Sequence, residues 1–314
     1  MILDSIFNAL MYIAKLIPFV IIGLFLAELI MALGLVEKLS WLTRPLTDFG
    51  RLNRSCGLSF LTAFVSPTAG NSMLLALYRE GKINSKGVIL TALANSFPAG
   101  LMPWRWMLPV VLSVLGMTGL LYFGITVVAG FMKLLVVLIA GRAILPKGNN
   151  FLHEPKQTTK KTTLKEAIPV SLRNTKKMGI RILEIIVPVT VLVFVLLDLG
   201  MLKILTSYLE KFAKVLPIPA EGVPIIVSQL ASNIAGFTVA GNLLAKGVIT
   251  ANKLILCLLV GNILSFTITT FRILIPFNIG IFGRGLGLKI VLLKYGLYTG
   301  VNILVLITLA IFWR

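Results

Sequence analysis

The chain is short of acid: 11 Asp and Glu stand against 30 Lys and Arg in 314 residues, giving a formal net charge of +19. Charged residues of both signs make up only 13% of it, where a soluble domain carries about 25%. Histidine and cysteine are almost absent, with His153, Cys56 and Cys257 the whole inventory. Two cysteines this far apart cannot build a disulfide framework and have neither metal nor redox spacing, so they read as small packing residues. His153 falls in a polar stretch and reads as solvated. No HExxH, no phosphate-binding glycine loop and no paired-cysteine motif occurs. The hydrolytic and nucleotide-cleaving chemistry those motifs support therefore has no site, and the expectation is a protein with no enzymatic activity, no metal and no cofactor.

What the chain has instead is apolar length. Hydrophobic residues make up 57% of it and the mean hydropathy is +0.97. Several runs reach the roughly 20 residues that a helix needs to cross a hydrocarbon layer. The bases lie mostly in short stretches between these runs, which is the positive-inside pattern of a membrane protein, not a nucleic-acid surface. The expectation is a multi-pass cell-membrane protein with no nucleic-acid partner. The opening segment, MILDSIFNALMYIAKLIPFV, has no basic n-region or small-residue cleavage site and reads as a retained helix.

Residues 147–178 interrupt the apolar pattern with Lys147, Lys156, Lys160, Lys161, Lys165, Arg173, Lys176 and Lys177 against Glu154 and Glu166. They divide the chain into halves, 1–146 and 179–314, joined by a basic cytoplasmic linker that would attract anionic lipid headgroups. The halves repeat one another. Pro18 and Glu28 recur as Pro188 and Asp198, and SPTAGNSMLLALYREGKI (66–83) aligns with SNIAGFTVAGNLLAKGVI (232–249). Asn95, Arg105 and Pro109 then fall on Asn262, Arg272 and Pro276.

Each half reads as a long helix, an amphipathic piece, an apolar stretch broken by small and polar residues, and two further long apolar segments. The closing segments run near 84–112 and 115–145, then near 250–280 and 286–313. Segments such as 56–65 and 71–79 are too short to span and suit a re-entrant hairpin, whose irregular tip must be satisfied by protein or a watery cavity. The fold expected is therefore an all-α integral membrane protein of two repeats, each with three membrane-crossing helices plus a re-entrant helical hairpin. Three crossings per half invert the second repeat. With the linker inside, the turn at Arg284, Lys289 and Lys294 is also inside and both termini lie outside. Gly283, Gly285 and Gly287 read as a flexible connection.

The Ser/Ala/Gly hairpin tips, the G-x-I turns that follow them and the Asn-bearing interrupted helices resemble the gate (nucleoside-recognition) domain. That domain occurs in concentrative nucleoside transporters, in the membrane part of ferrous-iron transporters and in spore-maturation membrane proteins. The resemblance implies inverted repeats whose hairpins and unwound helices meet at a central site. It places SPTAGNS, SQLASNIAG, NSFPAGLMPWR and GNILSFTITTFR around that site. The hairpin tips carry no acidic residue, unlike those of the nucleoside transporters, and the cysteine patterns of the iron transporters are not matched.

The candidate solute-binding residues are Ser66, Thr68, Asn71 and Ser72 with Gln229, Ser232 and Asn233 at the hairpins, and Asn95, Ser96, Asn262 and Ser265 on the interrupted helices. Arg105 and Arg272 sit within apolar runs, where a charge costs at least about 2.5 kcal/mol unless it faces a partner or a cavity. They could clamp an anion, pair with Glu28 or Asp198, or snorkel at the outer boundary, where Trp104 and Trp106 would sit. Glu28 and Asp198 could carry a coupling proton or form structural ion pairs. Lys133 also lies in an apolar run, without an evident partner. The function expected is a transporter for a small polar solute, nucleoside-like or anionic. The alternative is a scaffold of the same fold that binds lipid or protein partners. Small residues on the long helices would permit a homo-oligomer.

Overall fold

The computed structural model describes residues 2–33, 43–53, 55–146, 163–198 and 219–313, and among them the chain is helical with no strand. In the first half, α1 (Ile2–Ala32) and the short α2 (Thr43–Phe49) precede a helix pair, α3 (Ser55–Val65) and α4 (Pro67–Arg79). Next come α5 (Ser85–Ala94), the single-turn-scale α6 (Ser96–Leu101) and α7 (Trp104–Ile144). The second half opens with α8 (Leu164–Asp198), whose first turns lie in the stretch assigned to the linker. A second helix pair follows, α9 (Val223–Ala231) and α10 (Asn233–Ala245), then α11 (Ala251–Thr269), a π-turn at Thr270–Leu274 and α12 (Ile275–Phe312). Glycine and proline positions, not helix propensity, set most of these boundaries.

In each helix pair one extended residue reverses the chain, Ser66 (φ −148°) in the first and Ser232 (φ −161°) in the second. The arms close because a glycine lets them approach. A side chain at Gly70 would meet the Ser59 carbonyl at 2.8 Å and Ala63 at 3.1 Å, and one at Gly236 would meet Gln229 at 2.8 Å. Both pairs also end alike. Gly81 (φ 70°) and Gly247 (φ 67°) take the left-handed conformation, with Lys82 N–H bonded to Leu77 O and Val248 N–H to Leu243 O. This is the glycine-terminated helix end that satisfies otherwise orphaned carbonyls.

Helices α7 and α12 each contain a sharp reversal. Gly116 (φ 55°, ψ −130°) separates 104–115 from 117–144, and Gly283 (φ 78°, ψ 167°) separates 275–282 from 284–312. A straight helix would hold Val111 and Gly119 about 12 Å apart at 1.5 Å per residue. Instead, a side chain at Gly119 would lie 2.7 Å from Val111 O, and one at Gly287 would lie 2.5 Å from Asn278 O. In both places the short arm folds back on the long one. The stretch at Gly283–Gly287 is thus a packed reversal in place of the expected flexible connection, with Gly285 and Gly287 already in the next helix.

The two cores exchange material. One gathers α9, α10 and α11 around Met107, Val110, Val111, Val114, Leu115 and Tyr122 of α7. The other gathers α3, α4, α5 and the end of α7 around Phe282 and Ile290 of α12. The arms that flank each reversal therefore pack into the core of the opposite half, while Gly116 and Gly283 themselves stay exposed. Trp104, Tyr122 and Phe237 lock one crossing, with ring centroids about 6 Å apart. Helices α1 and α8 lie against one another, and each contributes a small-residue stripe: Ser5 and Ala9 on α1, Ala167 and Ser171 on α8.

Among the described residues three helices are long and apolar enough to cross a membrane: Trp104–Ile144, Ala251–Thr269 and Ile275–Phe312. Their outer faces bare large apolar side chains, including Met117 (79% exposed), Ile139 (58%), Leu292 (57%) and Ile311 (69%). A soluble monomer does not carry an apolar surface so continuous. The chain is built for a bilayer.

Candidate functional site: a cavity between the two halves

A cavity of about 370 Å³ lies where the exchanged elements meet. The first half supplies Ala63 and Pro67 from the α3–α4 turn, Asn71 of α4, Asn95 and Ser96 at the α5–α6 break, and Lys133 of α7. The second half supplies Asn233 at the start of α10, Asn262, Ser265 and Phe266 of α11, and Asn278, Lys294 and Tyr298 of α12.

Local hydrogen bonds fix several of these groups. Ser59 Oγ donates to Gly70 O at 2.9 Å, so its free lone pair accepts Asn95 Nδ2 at 2.7 Å. That bond sets the Asn95 amide and leaves its Oδ1, in a side chain only 2% exposed, without a protein partner. Asn233 Oδ1 is likewise buried without a protein partner. Asn278 Nδ2 donates to Leu274 O at 2.8 Å, next to the π-turn. Ser96 Oγ donates to Leu93 O, bracing the α5–α6 break.

The charged groups of the wall are basic. Lys133 Nζ sits 4.2 Å above the Tyr298 ring, a cation–π contact that holds its head at the wall. Tyr298 in turn stacks on Phe266 with centroids 3.7 Å apart. Lys294 reaches the cavity from the long arm of α12. No Asp or Glu is among the lining residues, and among the described residues no group of His, Cys, Asp or Glu is arranged to hold a metal. The N-terminal ends of α4 and α10 also border the space, through Pro67 and Asn233. Ser66 caps α4 through Ala69 N–H at 3.2 Å, whereas Ser232 makes no such bond to α10.

The residues singled out from sequence divide clearly. Asn71, Asn95, Ser96, Asn233, Asn262 and Ser265 line the cavity together. Ser66 is a helix cap, Thr68 and Ser72 are exposed on α4, and Ser232 reverses the second helix pair. Gln229 is buried beneath the cavity's second-half wall, packed against Gly236 and Gly261. Arg105 is half-buried and absent from the wall. The side chains of Arg272, Glu28 and Asp198 lie outside the described residues. Lys294 is not in a turn, because the chain reverses at Gly283 and is helical again well before it. Sequence reasoning passed over Lys294, Tyr298 and Phe266 as wall residues. The available signal was the one that drew attention to the arginines, a cation within an apolar run.

Three proteins of Methanocaldococcus jannaschii, each named as an uncharacterized protein, are similar to this chain. MJ1556 is 31% identical over 279 residues, covering 88% of both chains. MJ0880 is 28% identical over 309 residues, covering 98% of this chain and 100% of its own. MJ0871 is 27% identical over 277 residues, covering 88% of this chain and 86% of its own. No family model and no solved structure matches the chain. With 31% identity sustained across 88% of both chains, the protein belongs to the same family as MJ1556.

Proposed function

We propose that this protein is a secondary transporter or facilitator that moves a small polar solute across the membrane through the cavity between its halves. The observation that carries the reading is the make-up of that cavity. Asn71, Asn95 and Ser96 from one half face Asn233, Asn262 and Ser265 from the other across about 370 Å³, within the range of small-molecule sites. Gathering this many polar side chains into the wall of one chamber inside an apolar helical bundle costs free energy that packing alone does not repay.

The architecture suits alternating access. In this reading the α3–α4 and α9–α10 pairs are re-entrant hairpins of two inverted repeats, and the α5–α6 break and the π-turn are the interrupted helices beside them. Paired glycines support the duplication: Gly81 with Gly247, in the register that pairs Ser66 with Ser232, and Gly116 with Gly283, in the register that pairs Asn95 with Asn262, share their positive φ. Rocking one half against the other about the crossed cores would open the chamber to either side. The start of α8, where exposed Lys165, Arg173, Lys176 and Lys177 alternate with exposed Leu164, Ile168 and Leu172, suits the headgroup layer.

Uptake into proteoliposomes tests the reading. Saturable flux that requires the protein, and falls at least about tenfold in Asn95→Leu and Asn262→Leu at unchanged folding, is expected. Rates equal to those of empty liposomes across a broad panel of polar metabolites would support the rival reading of a lipid- or partner-binding scaffold.

A further inference from the structure

The geometry points to a small organic anion bearing hydroxyl groups as the occupant of the cavity, held by Lys133 and Lys294. The inference deepens the transport reading and rests on it for the claim that the occupant is carried.

Charge comes first. Two ammonium groups, on the long arms of α7 and α12, face one chamber whose described wall holds no carboxylate. Among the described residues neither forms an ion pair, and Lys133 has a ring face in place of an anion. Cations at membrane depth need a compensating charge or water, and a bound anion answers both lysines at once. The helix ends agree in sign. The starts of α4 and α10, each 13 residues long, border the cavity, and helix N-termini present partial positive charge and free N–H groups. At α10 no side-chain cap competes for those groups.

The second observation concerns hydrogen-bond acceptors. Asn95 Oδ1 and Asn233 Oδ1 are buried acceptors without a protein partner. The Ser59 bond prevents Asn95 from exchanging its oxygen for a donor without loss of that contact. An oxygen left this way costs free energy unless a donor reaches it. Chloride, nitrate or sulfate offers acceptors only, whereas a hydroxylated organic anion satisfies the lysines with its charge and the amide oxygens with its hydroxyls. The volume of about 370 Å³ lies at the small end of ligand sites, which fits a metabolite-sized solute.

The test is binding to the purified full-length protein in detergent, read by thermal shift and isothermal titration. The probes are lactate, malate and glycerol 3-phosphate, with succinate as the anion lacking a hydroxyl and erythritol as the uncharged polyol. The hydroxylated anions are expected to raise the melting temperature in a saturable, dose-dependent way, succinate to act more weakly and erythritol not at all. Lys133→Gln and Lys294→Gln should each weaken binding by about tenfold or more, while Lys289→Gln, at an exposed position of the same helix, binds as wild type. Silence across the anions, or erythritol binding as well as malate, would overturn the proposal without any variant being needed. So would unchanged affinity in both lysine variants. Binding without flux would leave the anion site standing and sink the transport reading; flux of uncharged solutes untouched by Lys133→Gln and Lys294→Gln would do the reverse.

Discussion

Single residues in this protein divide into those that shape the cavity and those that face it. Ser59 belongs to the first kind. It is fully buried and joins the α3–α4 pair to the α5–α6 break by donating to Gly70 O and accepting from Asn95. Ser59→Ala leaves Asn95 Nδ2 without its acceptor, a loss of about 1–3 kcal/mol. A lowered thermal midpoint together with weakened solute binding is the expected result; a midpoint unchanged within error would show that the bond carries no weight. Six polar residues of the wall, Asn71, Asn95, Ser96, Asn233, Asn262 and Ser265, were legible from sequence, whereas Thr269 and Asn278 were not singled out. Thr68, Ser72 and Ser66 were not separable from Asn71 that way, since all four share one short motif and only the helix phase decides which of them points inward. Lys294 was misplaced for a related reason. Three glycines suggest a longer loop than the single reversal at Gly283 that the chain makes.

At the scale of elements, the two reversals organise everything that follows. Gly116 and Gly283 adopt backbone angles that a side chain tolerates poorly, although nothing lies within 4 Å of where a Cβ would be at either. Their requirement is conformational, not one of space. Gly116→Ala and Gly283→Ala should each cost about 1–3 kcal/mol. Gly124→Ala, in regular helix with open space beside it, should be neutral or stabilise by up to about 1 kcal/mol. Thermal unfolding of the three variants under one set of conditions separates them, and equal effects would contradict the account. The break between the closing apolar segments was visible in the sequence, near 112–115 and 280–286. The short length of the first arm in each was not, because apolar periodicity cannot show that a helix has turned back on itself. Periodicity did not show the α5–α6 break either, where Asn95 and Pro98 interrupt an otherwise continuous apolar run; the interrupted helix there was expected from the resemblance alone.

On the scale of the whole molecule, the halves are not independent bodies. Residues 107–122 complete the core of the second half, and Phe282 and Ile290 complete that of the first. The division into 1–146 and 179–314 follows the chain, but neither portion encloses its own core. Expressed alone, each half should aggregate or be degraded. Co-expressed without the linker, the two should co-purify as a folded pair with a cavity that still binds solute. Independent stability of either half, shown by a cooperative melt, would refute the exchange. An interlocked pair of this kind also explains why the cavity draws its wall from both sides, as a chamber at a crossing must. Sequence repetition led to the expectation of a duplication, but the exchange of arms between the cores leaves no trace in composition, because core residues of either half are equally apolar.

The most direct test of the central claim, that the chamber between the halves is a path for a polar solute, is counterflow in proteoliposomes. Vesicles preloaded with unlabelled malate should take up labelled malate transiently above equilibrium in the presence of the wild-type protein, and Asn95→Leu or Asn262→Leu should abolish the overshoot while the protein remains folded. Slow, linear uptake indistinguishable from that of protein-free vesicles, for malate and for every other solute that binds the purified protein, would contradict it.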